Sequence, residues 1–180
     1  MDQYRPDVLL CVVAHPDDVE VTFGGAIAKW SAAGTKVSYL ICSDGANGTD
    51  DTQKVGAKIA EMRQKEQQAA ARKLGVQHVE QLDYKDGSLE CCDAMRRDIV
   101  REIRVRKPDA VFTMDPTFFY STEFNYVNHT DHRAVGQATF DAVYPLARDV
   151  GSFPELDNDG LQPHAVTNLL MANFGQENFY

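Results

Sequence analysis

The chain has 180 residues and a mass of 20.1 kDa, a length that fits one domain able to bury most of its apolar surface. Its 43% hydrophobic and 25% charged residues are ordinary for a soluble globular protein. A net charge of −9 and a pI near 4.9 leave no basic stripe, which argues against nucleic acid and anionic membrane surfaces as partners.

In chain order, Val8–Val13 (VLLCVV) is an apolar run of strand length. Phe23–Ala33 has helical composition and closes at Gly34, a stop signal. Lys36–Cys42 (KVSYLIC) reads as a second strand, and Ser43–Thr52, rich in Gly, Asn and Asp, as a loop. Lys54–Leu74 is a long predicted helix closed by Gly75, followed by a third strand, Val76–Leu82. Asp86-Gly87 marks a turn. Cys92–Arg106 is a predicted helix stopped by Pro108. Its arginines (Arg96, Arg97, Arg101, Arg104, Arg106) interleave with acids and read as a solvated face. Ala110–Thr113 is a fourth strand, followed by a loop from Met114 to about Asn128. His132–Val150 reads as a helix interrupted at Pro145, and Val166–Ala172 as the last strand.

Strands separated by helices imply βαβ units. The predicted fold is therefore α/β: a three-layer α/β/α Rossmann-like sandwich with a mostly parallel sheet, in one domain over residues 1–180. Ligands of such sheets sit at the carboxyl ends of the strands. Cys11 and Cys42 lie in apolar runs, while the adjacent pair Cys91 and Cys92 suits neither a zinc knuckle nor a disulfide framework. All four are expected as reduced thiols in a cytoplasmic setting. The start, MDQYRPD, lacks the regions of a signal peptide, and no apolar stretch is long enough for membrane insertion.

Two polar clusters stand out. AHPDDVE places His15, Asp17, Asp18 and Glu20 directly after the first strand. A helix cap by Asp17 or Asp18 would be an ordinary explanation. However, His15 and Asp18 are three residues apart, so a tight turn can aim both at one point. Imidazole and carboxylate together suit a divalent metal. Pro16 stiffens that turn, and Gly24-Gly25 would permit close backbone approach between helix and sheet. Asp17, between the two ligand candidates, would project towards a water instead. A dinucleotide site would need G-x-G-x-x-G at this place, which HPDD occupies. NHTDH, with His129, Asp131 and His132, follows the fourth strand and its loop. In a parallel sheet both clusters open on one edge. Three ligands would leave a tetrahedral zinc one open position, the arrangement of a catalytic site. Asp131 would then steady an imidazole through its other ring nitrogen. Glu20 would either orient a ligand or favour the positive start of the helix.

AHPDDVE with Gly24-Gly25, and later HTDH, resemble the signature of the LmbE / PIG-L family of zinc-dependent de-N-acetylases. Arg63-Gln-Lys-Glu66 with Ala69, Ala70 and Leu74-Gly75 is similar to the family's R-x-x-E…A…L-G helix, and DYKDGSL to its D-G-x-L turn. The resemblance covers nearly the whole chain. It implies zinc (Zn2+), or another divalent metal such as Fe2+, on His15, Asp18 and His132. It implies Asp17 as the general base that activates the attacking water. It gives His129 the task of steadying the oxyanion or protonating the leaving amine, with Asp131 behind it. Arg63 and Asp86 match positions that can contact the sugar. The implied activity is a deacetylase of an N-acetylated, GlcNAc-type amino sugar, a small-molecule substrate; sheet-type hydrolases of this size often assemble, which leaves a homo-oligomer open. The alternatives are a metal-dependent phosphoesterase, since Asp/His clusters also serve two-metal sites, or a catalytically impaired metal-binding domain. Family members extend beyond the position of Tyr180, so the resemblance implies either a domain truncated at its C-terminus or a short member of the family.

Overall fold

The computed structural model describes residues 4–51 and 55–172. Five strands form one parallel sheet: β1 (Val8–Val13), β2 (Lys36–Ser43), β3 (His78–Tyr84), β4 (Ala110–Met114) and β7 (Asn168–Ala172). Their order is β3-β2-β1-β4-β7, and every neighbouring pair is parallel. β1 is central and continuously apolar because both its faces are covered. Alternate residues point to opposite sides. Leu10, Val12, Leu40 and Val111 meet Ile99 and Ile103 of α3 (Asp93–Arg106) and Val135 and Ala138 of α4 (Thr130–Asp141). Leu9, Cys11, Val13, Tyr39 and Phe112 meet Val19 and Ile27 of α1 (Asp18–Ala32) and Ala71 of α2 (Ala57–Lys73). The three-layer α/β/α sandwich is thus the observed architecture.

The chain runs outward from β1 through β2 to β3, then crosses back to β4 on the other side of β1. The switch point, where such folds open their crevice, therefore lies between the carboxyl ends of β1 and β4. At Gly136 a Cβ would collide with the Met114 carbonyl oxygen. The absent side chain lets α4 press on the end of β4, and this sets its first turn over the crevice.

Several boundaries differ from the sequence reading. The first helix begins at Asp18, not Phe23, so the AHPDD cluster leads directly into it, with Asp17 at the cap position and Asp18 in the first turn. Asp18 and Glu20 there favour the positive helix end. Gly24 and Gly25 lie inside that helix. A Cβ would find only ordinary contact at the first and open space at the second, so close approach does not require them. The second helix begins at Ala57, and the predicted start at Lys54 falls outside the described residues. The loop after β4 contains a small hairpin, β5 (Tyr120–Ser121) and β6 (Tyr126–Val127). The helix expected over His132–Val150 begins at Thr130 and ends at Asp141, where a wide turn with Pro145 follows. A short helix, α5 (Pro154–Asn158), precedes β7.

Arg104 corrects a further expectation. The sequence pattern places it on a solvated face, yet its side chain is fully buried. Nε donates to the Ala147 carbonyl, and Nη2 to those of Leu146, Asp149 and Ser152. Nη1 donates to Asp157 and to the Leu161 carbonyl. One guanidinium fork thus gathers the irregular segment between α4 and β7. Among the described residues, no helix is long and apolar enough to cross a membrane.

Candidate metal centre and active site

His15 leaves the end of β1 and His132 lies in the first turn of α4, so the sheet brings both to the crevice. The turn between β1 and α1 puts Asp18 between them. The Asp18 Oδ2 accepts from the backbone N–H of His15 at 2.8 Å. Its Oδ1 lies 3.1 Å from His132 Nε2, and its Oδ2 lies 3.6 Å from His15 Nδ1.

Hydrogen-bond partners settle which ring nitrogens face the centre. His132 Nδ1 lies 3.1 Å from Asn128 Oδ1, an atom that only accepts. Asn128 is held by its Nδ2 donating to the Phe118 carbonyl at 2.8 Å. His132 therefore carries a proton on Nδ1 and turns Nε2 to Asp18. His15 Nε2 lies 3.2 Å from Asp86 Oδ1 and 3.3 Å from Asp131 Oδ2. A ring N–H serves two carboxylates, which leaves Nδ1 as the nitrogen that faces Asp18. Two imidazole nitrogens and one carboxylate converge there, a donor set that suits a divalent cation. Ligand atoms bonded to tetrahedral zinc at ~2.0–2.1 Å lie about 3.3 Å apart. Asp18 reaches the two rings through different oxygens, at 3.1 Å from Oδ1 and 3.6 Å from Oδ2, and one ligand atom from each of the three residues lies within 4.8 Å of the others, close enough to close on such an ion. The same charges set how the ligands titrate. Burial pulls the His15 pKa down, but Asp18, Asp86 and Asp131 outweigh it and raise it. Burial pushes Asp18 up, but His132 and His15 hold it well below the usual carboxylate range.

A second grouping, His15, His129 and Asp131, also brings ligand-type atoms together. Its members are engaged elsewhere. Asp131 is fully buried and accepts from the backbone N–H groups of Gly87 at 2.7 Å and Leu89 at 3.2 Å, besides facing His15. His129 Nδ1 accepts from the Asp131 backbone N–H at 3.1 Å. The carboxylate expected to stand behind His129 thus turns to His15. Among the described residues, His129 takes its hydrogen bond from the Asp131 amide and packs edge-on against the His15 ring at 4.8 Å. With Nδ1 an acceptor, His129 keeps its proton on Nε2. Burial and the neighbouring His15 depress its pKa.

Asp17 stands beside this centre but outside it. Its side chain is 66% exposed, and Oδ2 accepts from Arg63 Nη2 at 2.9 Å. Partial burial raises its pKa against the pull of Arg63. Its φ of 91° and ψ of −22° are left-handed, a conformation costing an L-residue about 1–2 kcal/mol. It occupies the cap position of α1 without its side chain capping. Arg63 and Asp86, expected to contact the sugar, face the protein's own groups. Arg63 also donates to the carbonyls of Pro16 at 2.6 Å and Gly45 at 3.3 Å. A Cβ at Gly48 would strike its guanidinium. Asp86 is buried against His15, and its Oδ2 accepts from the Asn47 backbone N–H at 3.0 Å. Glu20 accepts from Gln67 Nε2 at 2.9 Å through Oε1, while its buried Oε2 has no hydrogen-bond partner among the described residues.

The sequence reading missed Asn128 and Gln67. Asn128 carried a usable signal, since it lies four residues before His132, one helical turn away. Gln67 lay in a polar helix with nothing to mark it. Asn128→Leu is expected to lower metal affinity about 10–100-fold, because the His132 tautomer is released. Asn128→Asp keeps the acceptor and should stay near the parent value in chelator competition. Equal affinities for all three proteins would remove Asn128 from the site.

Fold and site together define a Rossmann-like α/β protein whose sheet carries, at its switch point, a group of two histidines and one aspartate that could hold a metal ion. The chain belongs to the PIG-L family: the profile described as GlcNAc-PI de-N-acetylase matches residues 10–143. It is 34% identical over 165 residues to the diacetylchitobiose deacetylase of Thermococcus kodakarensis, covering 88% of this chain and 57% of that protein. It is 28% identical to a 1D-myo-inositol 2-acetamido-2-deoxy-alpha-D-glucopyranoside deacetylase of Rhodococcus erythropolis, covering 82% of this chain and 58% of that protein. The crystallised N,N'-diacetylchitobiose deacetylase of Pyrococcus horikoshii superposes with a TM-score of 0.89 at 30% identity, over 97% of this chain and 63% of that one. The chain thus spans less than two thirds of the length of each of these relatives.

Proposed function

We propose that the chain carries the catalytic centre of a zinc-dependent hydrolase that removes the acetyl group from an N-acetylated, GlcNAc-type amino sugar. One observation carries the reading: His15, Asp18 and His132 bring two ring nitrogens and a carboxylate together, with the Asp17 carboxylate beside them and outside the ligand set. When bound, zinc would supply Lewis acidity, lowering the pKa of water to about 7 and polarising the amide carbonyl. His15, Asp18 and His132 would hold the ion. Asp17 takes the proton from the attacking water. The exposed edge of its carboxylate then returns that proton to the amine nitrogen as the C–N bond breaks. Acetate and the free amine leave. His129, with its proton on Nε2, donates a hydrogen bond to the oxygen on which charge develops. Asp131 and Asp86 keep His15 turned the right way round.

The substrate class draws support from the relatives named above and from the hairpin beside His129. Phe118 and Tyr126 stack there at 6.1 Å, and Phe119 and Tyr120 are exposed, a face suited to a sugar ring. Arg63, the basic side chain beside Asp17, is engaged there, which disfavours a phosphate ester. The four unpaired cysteines support a cytoplasmic setting. The test combines elemental analysis with an amine-release assay over N-acetylglucosamine, N,N'-diacetylchitobiose and phosphate monoesters. One metal per chain with amine released from an acetylated sugar is the expected result. Two metals with phosphate released, or a metal-loaded chain that turns over no acetylated sugar, would overturn the reading.

A further inference from the structure

The left-handed Asp17 is held from behind by α2. Its backbone N–H donates to Gln67 Oε1 at 2.7 Å. This amide is one of the donors a helix start leaves unsatisfied, and its acceptor comes from a residue fifty positions away. Gln67 is 4% exposed. Its other end, Nε2, donates to Glu20 Oε1 at 2.9 Å. Glu20, an acceptor when ionised, decides which way the Gln67 amide lies. A flipped amide would set an NH2 group against the Asp17 N–H and a carbonyl oxygen against the carboxylate. One turn earlier on α2, Arg63 grips the same turn through the Pro16 carbonyl and the Asp17 carboxylate. Arg63 restrains the exposed side chain. Gln67 restrains the backbone from which that side chain projects.

We propose that Gln67 is a positioning residue for Asp17 during turnover, and that Glu20 orients Gln67. The inference rests on the reading of Asp17 as the general base. The chain of contacts runs from the Glu20 carboxylate to the Gln67 amide to the Asp17 backbone. It accounts for Glu20, which touches none of the metal ligands through its hydrogen bonds.

Gln67→Met removes both hydrogen bonds at similar volume. It should lower kcat about tenfold to a hundredfold with KM and metal content unchanged, since a small displacement of a reacting group carries losses of that order. Gln67→Glu sets two carboxylates against each other and should be impaired as well. The double variant E20Q/Q67E reverses the polarity: the carboxylate at position 67 accepts from both the Asp17 N–H and the new amide at position 20. It should recover kcat to within about threefold of the parent. A second readout needs no turnover. In the metal-free protein, the Asp17 amide should be protected from hydrogen exchange, lose protection in Gln67→Met and regain it in the double variant. Unchanged kcat in Gln67→Met would overturn the inference, as would a double variant no better than Gln67→Glu. Loss of metal or of the fold in Gln67→Met without recovery in the double variant would show a structural role only. The base reading fails separately. An active Asp17→Asn sinks it whatever Gln67 does, whereas an inactive Asp17→Asn beside an active Gln67→Met sinks only the positioning role.

Discussion

Asp17→Asn is expected to lower kcat by about 10²–10⁴-fold while the protein still binds one metal ion per chain. The asparagine keeps an oxygen near Arg63 but loses the basic site that takes the proton from water. The carboxylate is largely exposed and its pairing with Arg63 is at the surface, so the change in folding stability should stay within about 1 kcal/mol. His132→Ala is expected to behave in the opposite way. It removes one of three ligands at the centre, so metal content itself should fall and turnover with it. Elemental analysis and amine release on the same preparations separate the two outcomes. An Asp17→Asn protein with parent turnover would remove Asp17 as the base. A His132→Ala protein with full metal content would move the centre elsewhere.

Arg104→Leu is expected to destabilise the fold by about 3–5 kcal/mol, the range for breaking a buried ionic network from one side. At this chain length that corresponds to a fall in melting temperature of roughly 6–20 °C. The reason lies in the acceptors left behind: the carbonyls of Leu146, Ala147, Asp149, Ser152 and Leu161 converge on this one guanidinium, and Asp157 loses its partner. Arg104→Lys keeps the charge but cannot reproduce the fork, so an intermediate loss is expected. None of these contacts touches His15, Asp18 or His132. Kinetics well below the melting point should therefore show near-parent kcat in either variant. A melting temperature within about 2 °C of the parent for Arg104→Leu would refute the assigned role.

How much was legible in the chain differs from element to element, and each difference has a physical reason. The four apolar runs at β1, β2, β4 and β7 are short, bounded and apolar, so composition alone marks them. β3 is one of the two sheet edges and only half-buried, and it lies two residues later than its weaker, more polar pattern suggested. The start of α1 was hidden because helix onset there is set by the carboxylates at the positive helix end and by a left-handed Asp17, neither of which leaves a hydrophobic period. The segment after α4 departs from the expected helix because its order comes from Arg104, a charged residue on a helix otherwise dressed for solvent.

The site divides along the same line. The sequence by itself determined which residues could hold a metal, since His15 and Asp18 lie within one turn of chain and His132 opens a helix after the fourth strand. Strand order then implied that the two clusters share an edge. Only the tertiary structure decided what each group faces. Asp131 turns to His15, 116 positions away, and not to His129 two positions away. Asp86 backs the same ring, Arg63 clamps the turn that carries Asp17, and Gln67 supplies the missing acceptor for its amide. Those assignments depend on the directions of individual hydrogen-bonding atoms across loops brought together by the sheet. Local periodicity and spacing report which side of an element a residue occupies, and carry nothing about which distant donor or acceptor it will meet.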